Sequence, residues 1–351
     1  DNTFVLEREG DYHGLFADTR LDDQLGSLIA GRPALVSAAR ETLGGPEPEL
    51  DMGEHCEKPF PCEFSDYCAR HLPPQPEWPI SLLPNSGRKI ADEWAGRGVT
   101  DLRDLPEGSL ASKLHTRIHH ATKTGETYHD VADARARTAD WSFPRTYLDF
   151  ETIAFAVPRW LGTRPYEQVP FQFSAHVEEA DGSVTHRQFL SLDGTDPKLA
   201  CAETLVRLVP DEGAVIAYNA SFERTCVRRL GEAIPELAPE LESIESRIVD
   251  LLPVTKSCWY HRDQRGSWSI KAVLPTVAPD LQYSSLGVKE GVAAQQAYLE
   301  AIAPETSEAR RETIAAGLKA YCAMDTRAMI VLLKRLISSD DSGEVNIAPP
   351  T

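Results

Sequence analysis

The first chemically suggestive spacing lies in Thr146-Tyr147-Leu148-Asp149-Phe150-Glu151-Thr152. Tyr147, Leu148 and Phe150 give the stretch a strand composition. Asp149 and Glu151 are two apart, so both carboxylates leave a strand from the same face. Side-by-side acids repel, and a divalent cation between them is the expected remedy. More acids fall at later element boundaries. Asn219-Ala220-Ser221-Phe222-Glu223 follows the apolar run 214–218 and opens a helix. Tyr321 and Asp325 stand four apart in a long helical pattern and therefore share one face. Asp250 also follows an apolar run and is an alternative to Glu223 as a ligand.

A second pattern is built from softer ligands. Cys56, Cys62 and Cys68 recur at equal gaps, with Pro59 and Pro61 forcing turns between them. The seven cysteines are an odd number and do not have the spacing of a secreted disulfide framework, so metal ligation is expected. With His71 the set becomes three thiolates and one imidazole, enough for a closed zinc site. Three thiolates completed by a cysteine from elsewhere would instead hold an iron–sulfur cluster.

The elements that must position these residues follow from the rest of the chain. Its 351 residues are 42% apolar and 26% charged, which predicts packed domains rather than disorder. A net charge of −18 argues against attachment to nucleic acid by bulk electrostatics. It leaves room for a nucleic-acid enzyme whose metal brings positive charge to an acidic cleft. Neither a membrane-spanning apolar run nor a signal peptide is evident, and the expected location is the cytoplasm, with no membrane partner.

Four segments are expected. Residues 1–72 read as a short strand pair, a helix broken at Gly31-Arg32-Pro33, and the cysteine cluster. The chain enters at Asp1 as if mid-fold, which suggests a missing N-terminal region. Residues 73–140 form a helical connector in which Ile80 to Leu105 looks like a helix-hairpin-helix element. Residues 141–338 change to a mixed α/β texture, and 339–351 form a loose tail. Within 141–338, strands are expected at 146–151, 169–177, 184–190 and 214–218. Helices are expected at 196–209, from 219, at 235–252, 291–303 and 307–337. A basic loop between them carries Lys256, His261, Arg262, Arg265 and Lys271.

Three strands, a helix, a central strand and flanking helices describe an RNase H-like α/β sheet. The motifs on it resemble those of DnaQ-like (DEDD) exonucleases over residues 145–336. Asp149 and Glu151 match the D-x-E of the first strand, and Asn219–Glu223 resembles N-x-x-F-D with Glu in place of Asp. Tyr321–Asp325 matches the Y-x-x-x-D of the tyrosine subclass. Gly266-Ser267-Trp268-Ser269-Ile270-Lys271 looks like the G-S-[YFW]-S-[LI]-K segment of bacterial RNase H-like families of unknown function. The cysteine cluster resembles the C-terminal cysteines of RecB-like nucleases with an iron–sulfur clasp, such as the AddB nuclease domain and related CRISPR-associated exonucleases. That second likeness covers only the first 70 or so residues and carries no RecB-like catalytic centre, so the partner implied is an N-terminal RecB-like region or a separate protein.

The resemblance implies two Mg²⁺ or Mn²⁺ ions about 4 Å apart. Asp149 would bridge them, Glu151 and Asp325 would bind the ion that activates water, and Glu223 would hold the second. Tyr321 would position the water, while Asn219, Arg262, Arg265 and Lys271 would contact substrate phosphates. The function implied is a 3′–5′ exonuclease, with DNA favoured over RNA, in repair or defence. The alternative is an RNase H-like module that binds nucleic acid or assembles a partner without catalysis.

Overall fold

The computed structural model describes residues 2–70, 74, 76–281 and 291–339. His71 and the tail from 340 lie outside the described residues. The first part of the chain contains α1 (Asp22–Gly44), α2 (Ser65–Ala69), α3 (Gly87–Ala95), α4 (Lys113–Thr124), β1 (Tyr128–His129) and α5 (Val131–Arg137). Then come β2 (Arg145–Ala154), β3 (Gln168–Glu178), β4 (Val184–Leu190), α6 (Lys198–Leu208), β5 (Val215–Ala217) and α7 (Ser221–Ala233). The remainder is α8 (Ala238–Ser246), β6 (Ile248–Asp250), α9 (Leu251–Cys258), β7 (Trp259–Tyr260), α10 (Ile270–Val277), α11 (Gly291–Ala301) and α12 (Glu308–Ile337).

β2, β3 and β4 form an antiparallel meander, and β5 and β6 join β2 in parallel, giving the order β4-β3-β2-β5-β6. This is the mixed, helix-flanked sheet of the RNase H-like arrangement. Strand alternation sorts its two faces. Leu148, Phe150, Phe173, Ala175, Val215 and Ala217 pack one face against α6, α7 and α8. The opposite face of β2 and β3 carries Tyr147, Asp149, Glu151, Gln172, Ser174 and His176, and α12 lies over it.

That second face is polar, yet Tyr147, Gln172, Ser174 and His176 on it are buried and call for partners. α12 supplies them in register. Gln172 Nε2 donates to Leu318 O at 2.8 Å. Thr326 Oγ1 meets Ser174 Oγ at 2.9 Å and His176 Nδ1 at 2.8 Å. Glu178 pairs with Lys334 at 2.9 Å and accepts from the Tyr147 hydroxyl at 2.8 Å. The helix is thereby pinned along β3, which fixes where Tyr321 and Asp325 face the sheet.

The connector and the α/β unit share one apolar core. Trp78, Ile80, Leu102, Leu105 and Ile118 cluster with Tyr147, Ile216, Trp259, Met329 and Leu333. Gly266 permits this contact: its φ is +78°, and a Cβ there would stand 1.9 Å from Leu82 O.

Three element expectations change. Residues 2–16 form turns rather than a strand pair, with Leu6 exchanging hydrogen bonds with Gly162 and Thr163. α1 continues through Pro33, and no residue described along it is buried, so no core imposes a break there. The expected helix 235–252 is divided by the three-residue strand β6, because the short run Ile248-Val249 is ambiguous between helix and strand until β5 pairs with it.

Candidate metal centre

Asp149 and Glu151 stand opposite Ser174 and Gln172 in the β2–β3 ladder, on the face that meets α12. The register shifts by a bulge immediately after Glu151, ending the regular pairing at the acids. Asp325 arrives from α12, one turn beyond Tyr321. Carboxylate oxygens of Asp149, Glu151 and Asp325 all lie within 4.8 Å of one another. Among the described residues, Cys56, Cys62 and Cys68 form no such group; Cys62 is exposed and the other two are half-buried.

The electrostatics are those of acids crowded together away from water. The Asp149 carboxyl is held well above the usual range by burial, then by Asp325, Glu151 and Glu223. Burial and Asp325 push Glu151 up to about 8, against a lowering pull from Lys271. Glu223, in the first turn of α7, is 4% exposed and is raised to about 8, chiefly by burial, with Asp250 adding to it. Its Oε2 is buried without a hydrogen-bond partner among the described residues. Glu223 is thus a fourth acid that Asp149 and Glu151 both sense, standing outside the closest group.

Two neighbours shape the cluster. The Cys322 thiol donates to Asp149 Oδ2 at 3.4 Å. The Lys271 ammonium donates to the Tyr321 hydroxyl at 3.0 Å and lies 5.0 Å from its ring centre. Burial, followed by Asp325, Glu151 and Asp149, keeps the Tyr321 phenol far above its ordinary value.

The remaining sequence candidates go elsewhere. Asp250 caps α9, accepting from Leu252 N, and also accepts from Asn219 N, both at 2.9 Å. Its carboxylate therefore braces the β5–α7 and β6–α9 corners. Asn219 adopts φ +66° at that bend, a conformation its short polar side chain tolerates. Arg262 and Arg265 turn to the connector and lie over the Trp78 ring at 5.8 and 5.1 Å. Of the basic residues expected at the acids, the structure brings Lys271 there. Cys322 was missed, although its place directly after Tyr321 puts it beside the face of α12 that carries Tyr321 and Asp325. Gln172, Ser174 and His176 were missed too; the polar alternation along β3 was the available signal.

The donor set fits hard divalent cations. It offers carboxylate oxygens, excess negative charge, and an orphaned buried oxygen on Glu223. Protonation is the other way to relieve such a cluster, and the raised carboxyls express that competition.

Residues 146–269 match a family described as "Domain of unknown function (DUF2779)". This span holds Asp149, Glu151 and Glu223 and stops before Lys271, Tyr321 and Asp325. The chain is 29% identical over 208 residues to the uncharacterized protein MG366 homolog of Mycoplasma pneumoniae, covering 54% of this chain and 31% of that protein. Uncharacterized protein MG366 of Mycoplasma genitalium is 22% identical over 221 residues, covering 56% and 33% respectively. Uncharacterized protein UU173 of Ureaplasma parvum is 24% identical over 218 residues, covering 55% and 31%. No solved structure matches the chain. The chain therefore spans about a third of the length of these relatives, and over that stretch it is similar to them.

Proposed function

We propose that this chain is a divalent-metal-dependent nuclease that hydrolyses phosphodiester bonds, acting as a 3′–5′ exonuclease on DNA. The observation that carries the reading is the convergence of Asp149, Glu151 and Asp325 within 4.8 Å, with Glu223 alongside and Tyr321 one helical turn from Asp325. Asp149, Glu151 and Asp325, with Glu223 at the margin, would hold Mg²⁺ or Mn²⁺, which supplies Lewis-acid stabilisation and a hydroxide-like nucleophile at neutral pH.

The chain's own groups orient what enters. Cys322 holds Asp149 Oδ2 by its thiol hydrogen. The Tyr321 oxygen accepts from Lys271, so its own hydrogen points away from the ammonium. With its proton firmly held, the phenol acts as a hydrogen-bond donor to a phosphate oxygen or to water rather than as a general base. Lys271 brings a positive charge to the edge of the acids, where an approaching phosphate would otherwise be repelled.

End-labelled single-stranded and duplex DNA, incubated with Mn²⁺ or Mg²⁺, tests the proposal. Mononucleotides should be released by the native chain and lost in Asp149→Ala and Asp325→Ala. Cleavage untouched by either substitution, or binding without cleavage in either metal, overturns the hydrolytic reading.

A further inference from the structure

A chain with 54 acidic and 36 basic residues would be expected to neutralise its cations with carboxylates. Along one path it braces them on aromatic rings. Arg117 lies 3.9 Å from the Tyr128 ring centre, and Lys256 lies 5.8 Å from that of Trp268. Arg262 and Arg265 share Trp78, and Lys271 lies over Tyr321. Two contacts tie these cations to α4 and its end, and the other cations lie within residues 256–271. Arg117 Nη1 donates to Lys256 O at 2.9 Å, and Arg265 Nη2 donates to Glu77 O at 3.1 Å. Arg262 Nη1 lies 3.5 Å from where a Cβ on Gly125, just past the end of α4, would stand. Lys271 lies at the acid cluster.

Among the described residues, no carboxylate lies within ion-pair distance of Arg117, Lys256 or Arg265; Asp263 approaches Arg262 at 3.9 Å. α4 adds Lys113 and Lys123, of which Lys123 is paired with Glu107 at 3.7 Å, and the helix contains no acid. Its twelve residues span about 18 Å, which matches about five nucleotides at the 3.4 Å rise of one duplex strand. A cation resting on a ring keeps its N–H donors directed outward with little rotamer freedom left to lose, which suits it to phosphates.

We propose that α4 and the 256–271 segment form a sequence-independent docking track for a nucleic-acid backbone, leading to the metal centre. This rests on the nuclease reading for its destination, and it adds where the strand beyond the scissile bond lies. The path favours nucleic acid over an acidic protein because it ends at a site suited to phosphodiester chemistry.

Binding of a fluorescein-labelled single-stranded 20-mer to the intact chain in EDTA, across a salt series, tests the track. The triple variant Arg117→Gln/Lys256→Gln/Arg265→Gln should bind about 10- to 100-fold more weakly near 0.1 M salt. Its slope of log affinity against log salt should be smaller by about two, at roughly 0.7 per phosphate contact on single strands. Arg117→Lys/Arg265→Lys, which keeps the charges, should retain the slope, and Arg207→Gln on α6 should change nothing. An unaltered slope in the triple variant overturns the track, as does displacement of DNA by polyglutamate at equal charge concentration. The two proposals fail separately. Cleavage with Mn²⁺ alongside unaltered binding in the triple variant removes only the track, whereas track-dependent binding by a native chain that never cleaves removes only the hydrolysis.

Discussion

Glu223→Gln isolates the energetic cost of holding an unpartnered carboxylate in the cluster. Glu223 is buried, its Oε2 has no partner among the described residues, and its carboxyl rises from 4.5 to about 8. The native state therefore keeps a proton that the unfolded chain releases. Stability from this group is fully present below pH 4.5 and is lost as pH rises toward 8. Each tenfold change in proton affinity is worth about 1.4 kcal/mol, so the loss between pH 5 and pH 8 is about 3–4 kcal/mol. Glutamine keeps the shape and does not ionise, so it removes that slope. Whatever its amide costs in lost hydrogen bonding is constant with pH and cancels when two pH values are compared.

Urea unfolding in EDTA at pH 5, 6, 7 and 8 gives the comparison directly. The variant should gain on the native protein steadily, ending about 3–4 kcal/mol better at pH 8 than its relative position at pH 5 predicts. Glu151 and Asp149 are themselves raised in part by Glu223, so relieving that repulsion in the variant adds to the difference in the same direction. Mn²⁺ should stabilise the native chain most at high pH, where the carboxylates are free to bind it. Parallel stability curves for the two proteins would refute the argument, because Glu223 would then be solvated or paired.

Three other perturbations follow from the same structure. His176 is lowered to about 3 by burial, by His186 and by Arg327, so its stability contribution is complete above pH 6.5 and is lost as pH falls. That is about 2 kcal/mol between pH 7 and pH 5, and His176→Gln should flatten the acid limb of the unfolding profile. Gly266→Ala forces a Cβ into Leu82 O at positive φ and should cost more than about 2 kcal/mol, with the 76–140 connector becoming sensitive to protease first. Thr326→Val keeps the side-chain outline but cuts the bonds to Ser174 and His176. It should cost about 1–3 kcal/mol and lower cleavage of labelled DNA more than tenfold, whereas unchanged cleavage would show that α12 needs no pinning.

Four of the sheet's five strands were legible because each is an apolar run or an alternation bounded by turn residues, whereas the short β6 was read as helix. Legible too were Asp149, Glu151, Tyr321 and Asp325, whose spacings match the strand and helix periods. Their convergence was expected through the resemblance and not from local pattern, since it depends on α12 docking at one register along β3. The partners that set the register, Gln172 with Leu318 O and His176 with Thr326, leave no trace in local pattern. Arg262 and Arg265 show the converse limit. Their charge was visible, but Trp78, which receives them, is far away in sequence. Asp250 had the right type and a suitable neighbourhood, yet backbone amides of Asn219 and Leu252 already claim it.

The pinning of α12 also bears on when the acid cluster can assemble during synthesis. Cys322 and Asp149 touch across 173 residues of chain, and Asp325 lies further on still. While α12 is still inside the ribosome, Asp149 and Glu151 lack the carboxylate of Asp325 that completes their close group. The three-carboxylate group is complete only once α12 locks along β3, and a chain cut short before residue 325 lacks its third carboxylate.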